Sequence, residues 1–508
     1  MRSWVTALLV LLLASPVHAQ AIRLDGEQQT LLINPVGGLP GRWLSCTERC
    51  TGSVDAGVGQ TALLRVGEGG SRLAWRIPGD PAASRQLDEL VYAPDYRQSA
   101  AGTTVILSAQ QAFRGMRLVH RYTLARDGRT LSVSLQMPPG AVLELSGGAD
   151  LVGPPLPGFG DFYSYARAVR VDAAGQAKLT GDEDASGAER LSGPGEWVGL
   201  RGRFWTLLLQ SREAVQVSAF ESAPNQPTLA VRRNAAGGGS LDLQIYAGPV
   251  LASELAPVAP ALRGMLYASL WDWLRALAFG MHWLLGQIQQ LVGNWGLAIM
   301  LLSLSVKLLM WPLTFVAERW QADVNRTQSL LQPQLAAVKR EFKGEEAHRR
   351  TLAVYAEHGV SQFYTLKSLA GFLIQIPVFI AAFDMLGENF GLGGAGFLWV
   401  QDLSLPDRAM ALPGVLPFFG PHLNFLPVLM TVFTVAAARL QEEASLSPEL
   451  LAGQRLRLYA MAALFFVLLY TFPAGMVLYW TTNNLLHLAK ILLGKLLPAT
   501  RQGFQPGL

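Results

Sequence analysis

The chain is poor in the residues that carry catalytic chemistry. It has two cysteines and seven histidines in 508 residues, and charged residues make up only 15%. Cys46 and Cys50 form a C-x3-C pair with no histidine nearby, a poor zinc site and more readily a small disulfide loop in an exported segment. No metal-ligand cluster and no nucleotide-binding loop is present. The Gly-rich run Ala235–Gly239 lacks the following lysine and helix that a phosphate loop needs. Residues 21–260 hold a single histidine, His120, and their carboxylates and arginines read as a solvated surface. No cofactor and no enzymatic activity is expected. The net charge of +4 gives no reason to expect nucleic-acid-specific binding.

What the chain has in excess is apolar sequence. Half of its residues are hydrophobic and the mean hydropathy is +0.26, with the excess in the second half. The length implies more than one domain. Residues 1–20 read as a secretory signal, with Arg2 as the charged start, Val5–Ala14 as the apolar core and Val17-His18-Ala19 as the small-residue site; an uncleaved anchor is the alternative. Residues 21–260 alternate in short runs broken by Gly, Pro and Asp, which predicts an exported all-β sandwich. Its clearest hairpin is Arg121–Leu124 and Thr130–Leu135 around Asp127-Gly128. Thr104–Ser108, Trp197–Leu209, Ala214–Phe220 and Leu241–Tyr246 are further strands. Residues 261–290 mix Trp271, Trp273, Trp283 and Arg275 with leucines, the pattern of an amphipathic helix in the membrane interface.

Residues 291–497 read as a polytopic membrane bundle. Val292–Thr314 is expected to be the first span, with one cation inside it, Lys307. That cation either snorkels to the interface or works within the span. Residues 315–367 form a helical hairpin, whose stretch Glu318–Lys367 carries eight Lys or Arg. Four more spans follow: Ser368–Leu386, Leu423–Leu440, Arg457–Phe472 and Ala474–Leu496. The basic hairpin, the connection flanked by Arg439 and Arg455, and the tail 498–508 are placed in the cytoplasm by their charge. The Glu388–His422 loop, with Arg408 its only basic residue, is placed outside.

Polar groups within the spans are few: Ser303, Ser305 and Lys307; Gln375 before Pro377, then Asp384; and Thr481, Thr482, Asn483, Asn484 and His487. Singly they read as helix glue, jointly with a cation as a partly hydrated interior. Such an interior suits ion transport, with a Lys–Asp pair, or a passing polypeptide.

Val292-Gly293-Asn294-Trp295-Gly296 with Lys307–Thr314, Leu331-Gln332-Pro333, Leu373–Phe379, and Phe472–Trp480 with Asn483-Asn484-Leu485 together resemble the YidC/Oxa/Alb membrane protein insertases over about Ala261–Leu497. Trp197–Leu200 and Tyr246–Pro249 resemble the periplasmic domain of the Gram-negative branch. The resemblance implies a bacterial inner-membrane protein: a bundle of five conserved-core α-helices with a cytoplasmic helical hairpin, and an N-terminal periplasmic β-sandwich of mutarotase-like fold. It implies insertion and folding of hydrophobic segments of nascent membrane proteins, alone or with the Sec translocon. The basic hairpin and tail suit the ribosome, and lipids receive the client. Lys307 takes the position of the groove cation, with Ser303 one turn earlier. Gln375 and Pro377 match the second span, and Tyr479 and Trp480 the aromatic pair at the exit; Thr481 and Asn484 complete the expected groove. Bacterial members usually have Arg at the Lys307 position, and the usual Asn-Pro and Gly-Gly-Cys entry to the second span is replaced by Tyr364–Ala370. Both departures point to a specialised paralogue. The rival readings are an ion or solute transporter, which predicts inverted repeats that the halves do not display, and a membrane-anchored periplasmic scaffold.

Overall fold

The computed structural model describes residues 21–46, 50, 63–67, 70–100, 102–125, 129–179, 190–223, 226–233, 239–361, 363–441 and 448–496. The expected signal (1–20), the Asp127-Gly128 turn, most of the Ala235–Gly239 loop and the tail 498–508 lie outside these residues. The chain divides into two compact units, Met1–Pro155 with Ser164–Ala268, and Leu156–Tyr163 with Ser269–Leu508.

The first unit is all-antiparallel β. A nine-stranded sheet runs in the order Ala177–Leu179, Ala166–Val171, Trp197–Gly202, Trp205–Ser211, Gly239–Pro249, Thr130–Met137, Val119–Ala125, Gly102–Ala109, Tyr92–Ser99. A five-stranded and a four-stranded sheet supply the facing layer. Alternation sets the faces: in Thr130–Met137 it is Leu131, Val133, Leu135 and Met137 that turn inward. Trp43, Trp75 and Trp197 are fully buried in the core. Cys46 and Cys50 are bonded to each other.

Two sequence expectations need correction in this unit. Trp197–Leu209 is two paired strands, folded back at Arg203-Phe204. The turn is itself packed, with Arg203 only 6% exposed, so Arg201-Gly202-Arg203 is not the solvated break that usually marks a turn. Residues 260–268 do not start the interfacial helix. Pro260–Met265 is a 3-10 turn tied to the large sheet by Arg201, whose buried guanidinium donates to the Met265 carbonyl at 2.5 Å.

The second unit is helical: α1 (Asp272–Val292), α2 (Trp295–Leu309), α3 (Trp311–Glu341), α4 (Gly344–Glu357), α5 (Ala370–Gly387), α6 (Phe425–Leu440), α7 (Pro448–Leu469) and α8 (Ala474–Leu496). α8 packs against α2, α5 and α6, and α1 lies against α2 and α5. α1 buries Leu274, Ala278, Met281 and Leu285 on one stripe and exposes Trp273 and Trp283, the amphipathic pattern expected of it. Basic α3 and α4 mark one end of the bundle. The loop 388–424 marks the other.

The expected first span is not one helix. α2 stops after 15 residues, and α3 departs at 61°. Pro312 causes the break: it has no N–H to give the helix and its ring would strike the Leu308 carbonyl, so it sits in the first turn of α3 instead. Lys307 is therefore in the last turn of α2 rather than inside a long span. Among the described residues, only Leu451–Leu469 is by itself long and apolar enough to cross a bilayer. α2 with α3 passes as a bent pair, and Leu373–Gly387 and Phe425–Leu440 are shorter apolar helices. α7 begins nine residues before the expected Arg457. The loop 388–424 is ordered, with a β-hairpin of Met410–Leu416 and Gly420–Leu423 where no element was expected.

Candidate functional site

The Gly293-Asn294-Trp295-Gly296 motif resolves into four separate jobs. Gly293 ends α1 at φ +68°, a conformation glycine adopts at no steric cost. Asn294 caps α2, its side-chain oxygen accepting from Leu297 N at 3.0 Å. Trp295 covers Gly391, where a Cβ would lie 2.3 Å from the indole. Gly296 lies under the Phe397 ring, where a Cβ would meet the ring at 2.0 Å. The motif thus seats the loop 388–404 on the start of α2.

The same loop satisfies two further helix starts. Ala474 N and Gly475 N of α8 donate to the carbonyls of Leu405 and Leu403 at 2.7 and 2.8 Å. The Asp407 carboxylate accepts from Phe425 N and Leu426 N at the start of α6. These are donors that helix geometry leaves unpaired. Burial pushes the Asp407 carboxyl above its ordinary pKa, against the hydrogen bonds from Leu426, Phe425 and Ala409. Phe159 stacks edge-on to Phe418, and Gly160 N donates to Thr471 Oγ1 at 2.9 Å, closing this end further.

Lys307 is near the opposite end. It is half-buried, and its Nζ donates to the Asn483 carbonyl of α8 at 2.9 Å. One turn earlier, buried Ser303 makes a long 3.5 Å contact to the Tyr479 carbonyl. The charged groups acting on Lys307 are Lys490 and Glu318, which pair with each other at 2.6 Å between α8 and α3. His487 also feels Lys307 and Lys490. Glu318 and Lys490 join this site beyond the polar groups expected within the spans, and Asn483 contributes its carbonyl rather than its side chain. Helical spacing from Asn483 to His487 and Lys490 was the available signal.

The other expected groove residues are distributed around α8. Trp480 fits between α5 and α7, with ring centroids 4.7 Å from Phe379 and 4.8 Å from Phe465. Tyr479 is buried. Thr481 and Asn484 are not brought to Lys307. Thr481 Oγ1 donates to its own helix at Val477 O, and Asn484 Nδ2 donates to Thr434 Oγ1 of α6 at 2.8 Å. Gln375 is exposed on α5. Asp384 does not pair with Lys307: it lies in the last turn of α5, near the loop end, and accepts from Ser269 at 3.2 Å.

In the first unit, a polar cavity of about 450 Å³ crosses four neighbouring strands of the large sheet. Arg121, Ser134, Asp242 and Arg212 line it, Asp242 being its only carboxylate.

Leu451–Leu469 is long and apolar enough to cross a bilayer, and shorter apolar helices, Leu373–Gly387 and Phe425–Leu440, accompany it. Residues 287–495 match the family model described as 60Kd inner membrane protein. A membrane protein insertase YidC of Methylobacillus flagellatus is 33% identical over 260 residues, 51% of this chain and 42% of that relative. One from Treponema pallidum is 28% identical over 350 residues, 64% of this chain and 54% of that relative. The chain thus spans about half the length of the curated relatives it matches. A crystal structure of an active YidC insertase with its first transmembrane domain resolved aligns over 96% of this chain and 98% of its own at 17% identity, with a TM-score of 0.34, too low to fix a fold.

Proposed function

We propose that the protein inserts and helps fold hydrophobic segments of newly made inner-membrane proteins. The loop end of the bundle faces the periplasm with the β unit, and the basic α3–α4 hairpin and the tail face the cytoplasm, where ribosome and client arrive; the Sec translocon is the partner beside which it also acts. The five-span core is α2 with the start of α3, then α5, α6, α7 and α8. The observation that carries the reading is Lys307: a half-buried cation held by the Asn483 carbonyl at the hairpin end, in the segment matched to the family. A cation in a hydrated recess attracts the acidic tail of a client and shortens its path through hydrocarbon, where each charge costs a few kcal/mol. The packed loop end supplies the seal against leakage. The client's apolar segment leaves along the α5 face, past Gln375 and the aromatic cluster around Trp480.

The test is site-specific photocrosslinking from Gln375 during synthesis of a single-span client in membranes. Adducts to the nascent chain that disappear on its completion and release are expected. No adduct from Gln375 or from the adjacent exposed Leu373 sinks the proposal.

A further inference from the structure

The hairpin Met410–Leu416/Gly420–Leu423 presents an apolar surface that the described residues leave largely exposed. Val415 is 73% exposed, Met410 56%, Leu416 49% and Phe418 42%. Exposed apolar clusters of this kind mark contact surfaces, and an isolated two-stranded hairpin is not stable with such a face in water. Its base is nonetheless rigid. Asn424 Oδ1 accepts from Arg408 N at 3.0 Å, Asn424 Nδ2 donates to the Tyr470 carbonyl at 2.6 Å, and the Tyr470 hydroxyl donates to the His422 carbonyl at 3.2 Å. Phe419 packs edge-on to Tyr470 at 5.0 Å. The exposed strand is thus held out from the bundle by a fixed root.

Its surroundings identify what it meets. The hairpin lies in the second half of the connection from α5 to α6 and continues directly into the apolar outer face of α6, where Phe425 and Val432 are exposed. No Lys, Arg, Asp or Glu occurs between Arg408 and Arg439. Trp399 and Arg408 flank the hairpin, the residue types that mark a membrane–water boundary. Pro413 and Pro417 remove two backbone donors that hydrocarbon would leave unpaired. The seven-residue strand reaches about 23 Å end to end, too short to span but enough to lie in one interface.

We propose that this hairpin is a lipid-docking element: Met410, Val415, Leu416 and Phe418 lie among the acyl chains just below the headgroups of the leaflet at the loop end of the bundle. The inference rests on the membrane placement of the helical unit and not on insertase activity.

The test uses the full chain with Val415→Cys, labelled with a nitrobenzoxadiazole fluorophore without reductant and reconstituted into phosphatidylcholine–phosphatidylglycerol vesicles. Lipids with a nitroxide at acyl carbon 5 are expected to quench the label by at least half. Iodide quenching should be about fivefold or more below that of the free labelled amino acid. The same pattern is expected at Leu416→Cys. Strong iodide quenching with no lipid quenching at both sites would place the hairpin in water. Weak quenching by either agent would mean that protein covers it. Each of these two results overturns the proposal.

Discussion

The Nζ of Lys307 on α2 donates to the backbone carbonyl of Asn483 on α8 at 2.9 Å. Ser303, one turn earlier, addresses the Tyr479 carbonyl, one turn earlier on α8. The two helices are thus joined along one line by side chains of α2 and main chain of α8. A carbonyl has two lone pairs, so Asn483 O can accept from Lys307 and still serve its own helix.

This relationship makes the charge separable from the contact. Lys307→Arg retains a cation with longer reach and is expected to support client insertion within about twofold of the parent. Lys307→Leu removes the charge while keeping the apolar stem and is expected to reduce insertion about tenfold at equal protein level. Quantitative protease protection of a short single-span client in inverted vesicles measures both. Full insertion by Lys307→Leu contradicts a role for the cation.

Gly296→Val should lift the Phe397 ring and with it the loop 388–404. A Cβ at this position would sit 2.0 Å from the ring. Overpacking of this kind costs about 1–3 kcal/mol. The expected readout is a lower unfolding temperature in detergent and new protease cleavage within the loop. Gly280→Val, at a helical glycine with open space around it, is the matched control and lacks the clash.

Asp407→Ala leaves the first N–H groups of α6 without their carboxylate, at a cost of about 0.5–2 kcal/mol. Asp407→Asn keeps one acceptor and should lose less. Amide exchange of Phe425 and Leu426 distinguishes the two, being fastest in the alanine variant. Equal exchange in all three proteins would mean that the carboxylate is not the cap.

The β unit should lose stability in mild acid through His120. Its ring is fully buried between Trp75 and Tyr92, with Nε2 3.0 Å from the Tyr92 hydroxyl, and burial pushes its pKa down to about 4. A neutral buried histidine is held against the unfolded value of 6.5. Its contribution is complete above pH 6.5 and declines as pH falls toward 4, by up to ~3 kcal/mol. Protection factors for amides of Val119–Ala125 in the full chain should therefore fall on the order of 100-fold more across that interval than in His120→Asn. Parallel curves for the two proteins would exclude His120 as the cause.

The parts of this molecule legible in its sequence are those where one residue does one local job. Lys307 as a cation among apolar neighbours and the alternation of Thr130–Leu135 need no partner to be recognised. What was not legible depends on remote atoms. Asn483 contributes its carbonyl, which every residue has. Thr481 and Asn484 share a helix with Tyr479, but at 100° per residue they point away from the α2 side and toward α6. The break at Met310 was hidden because Pro312 reads equally well as the end of a span and as the start of the next helix. The hairpin Met410–Leu416 has no period-2 signal because both of its faces are apolar or Gly/Pro.

The loop 388–407 fixes more than the positions of three helix starts. By seating α2, α6 and α8 at the same end, it makes these neighbours parallel, so their peptide dipoles add instead of cancelling. Each then presents about half a negative charge at its far end. Each also has a cation in its last turn, Lys307, Arg439 and Lys495 respectively. The basic rim of the bundle therefore offsets a field that the loop at the other end creates by its choice of direction.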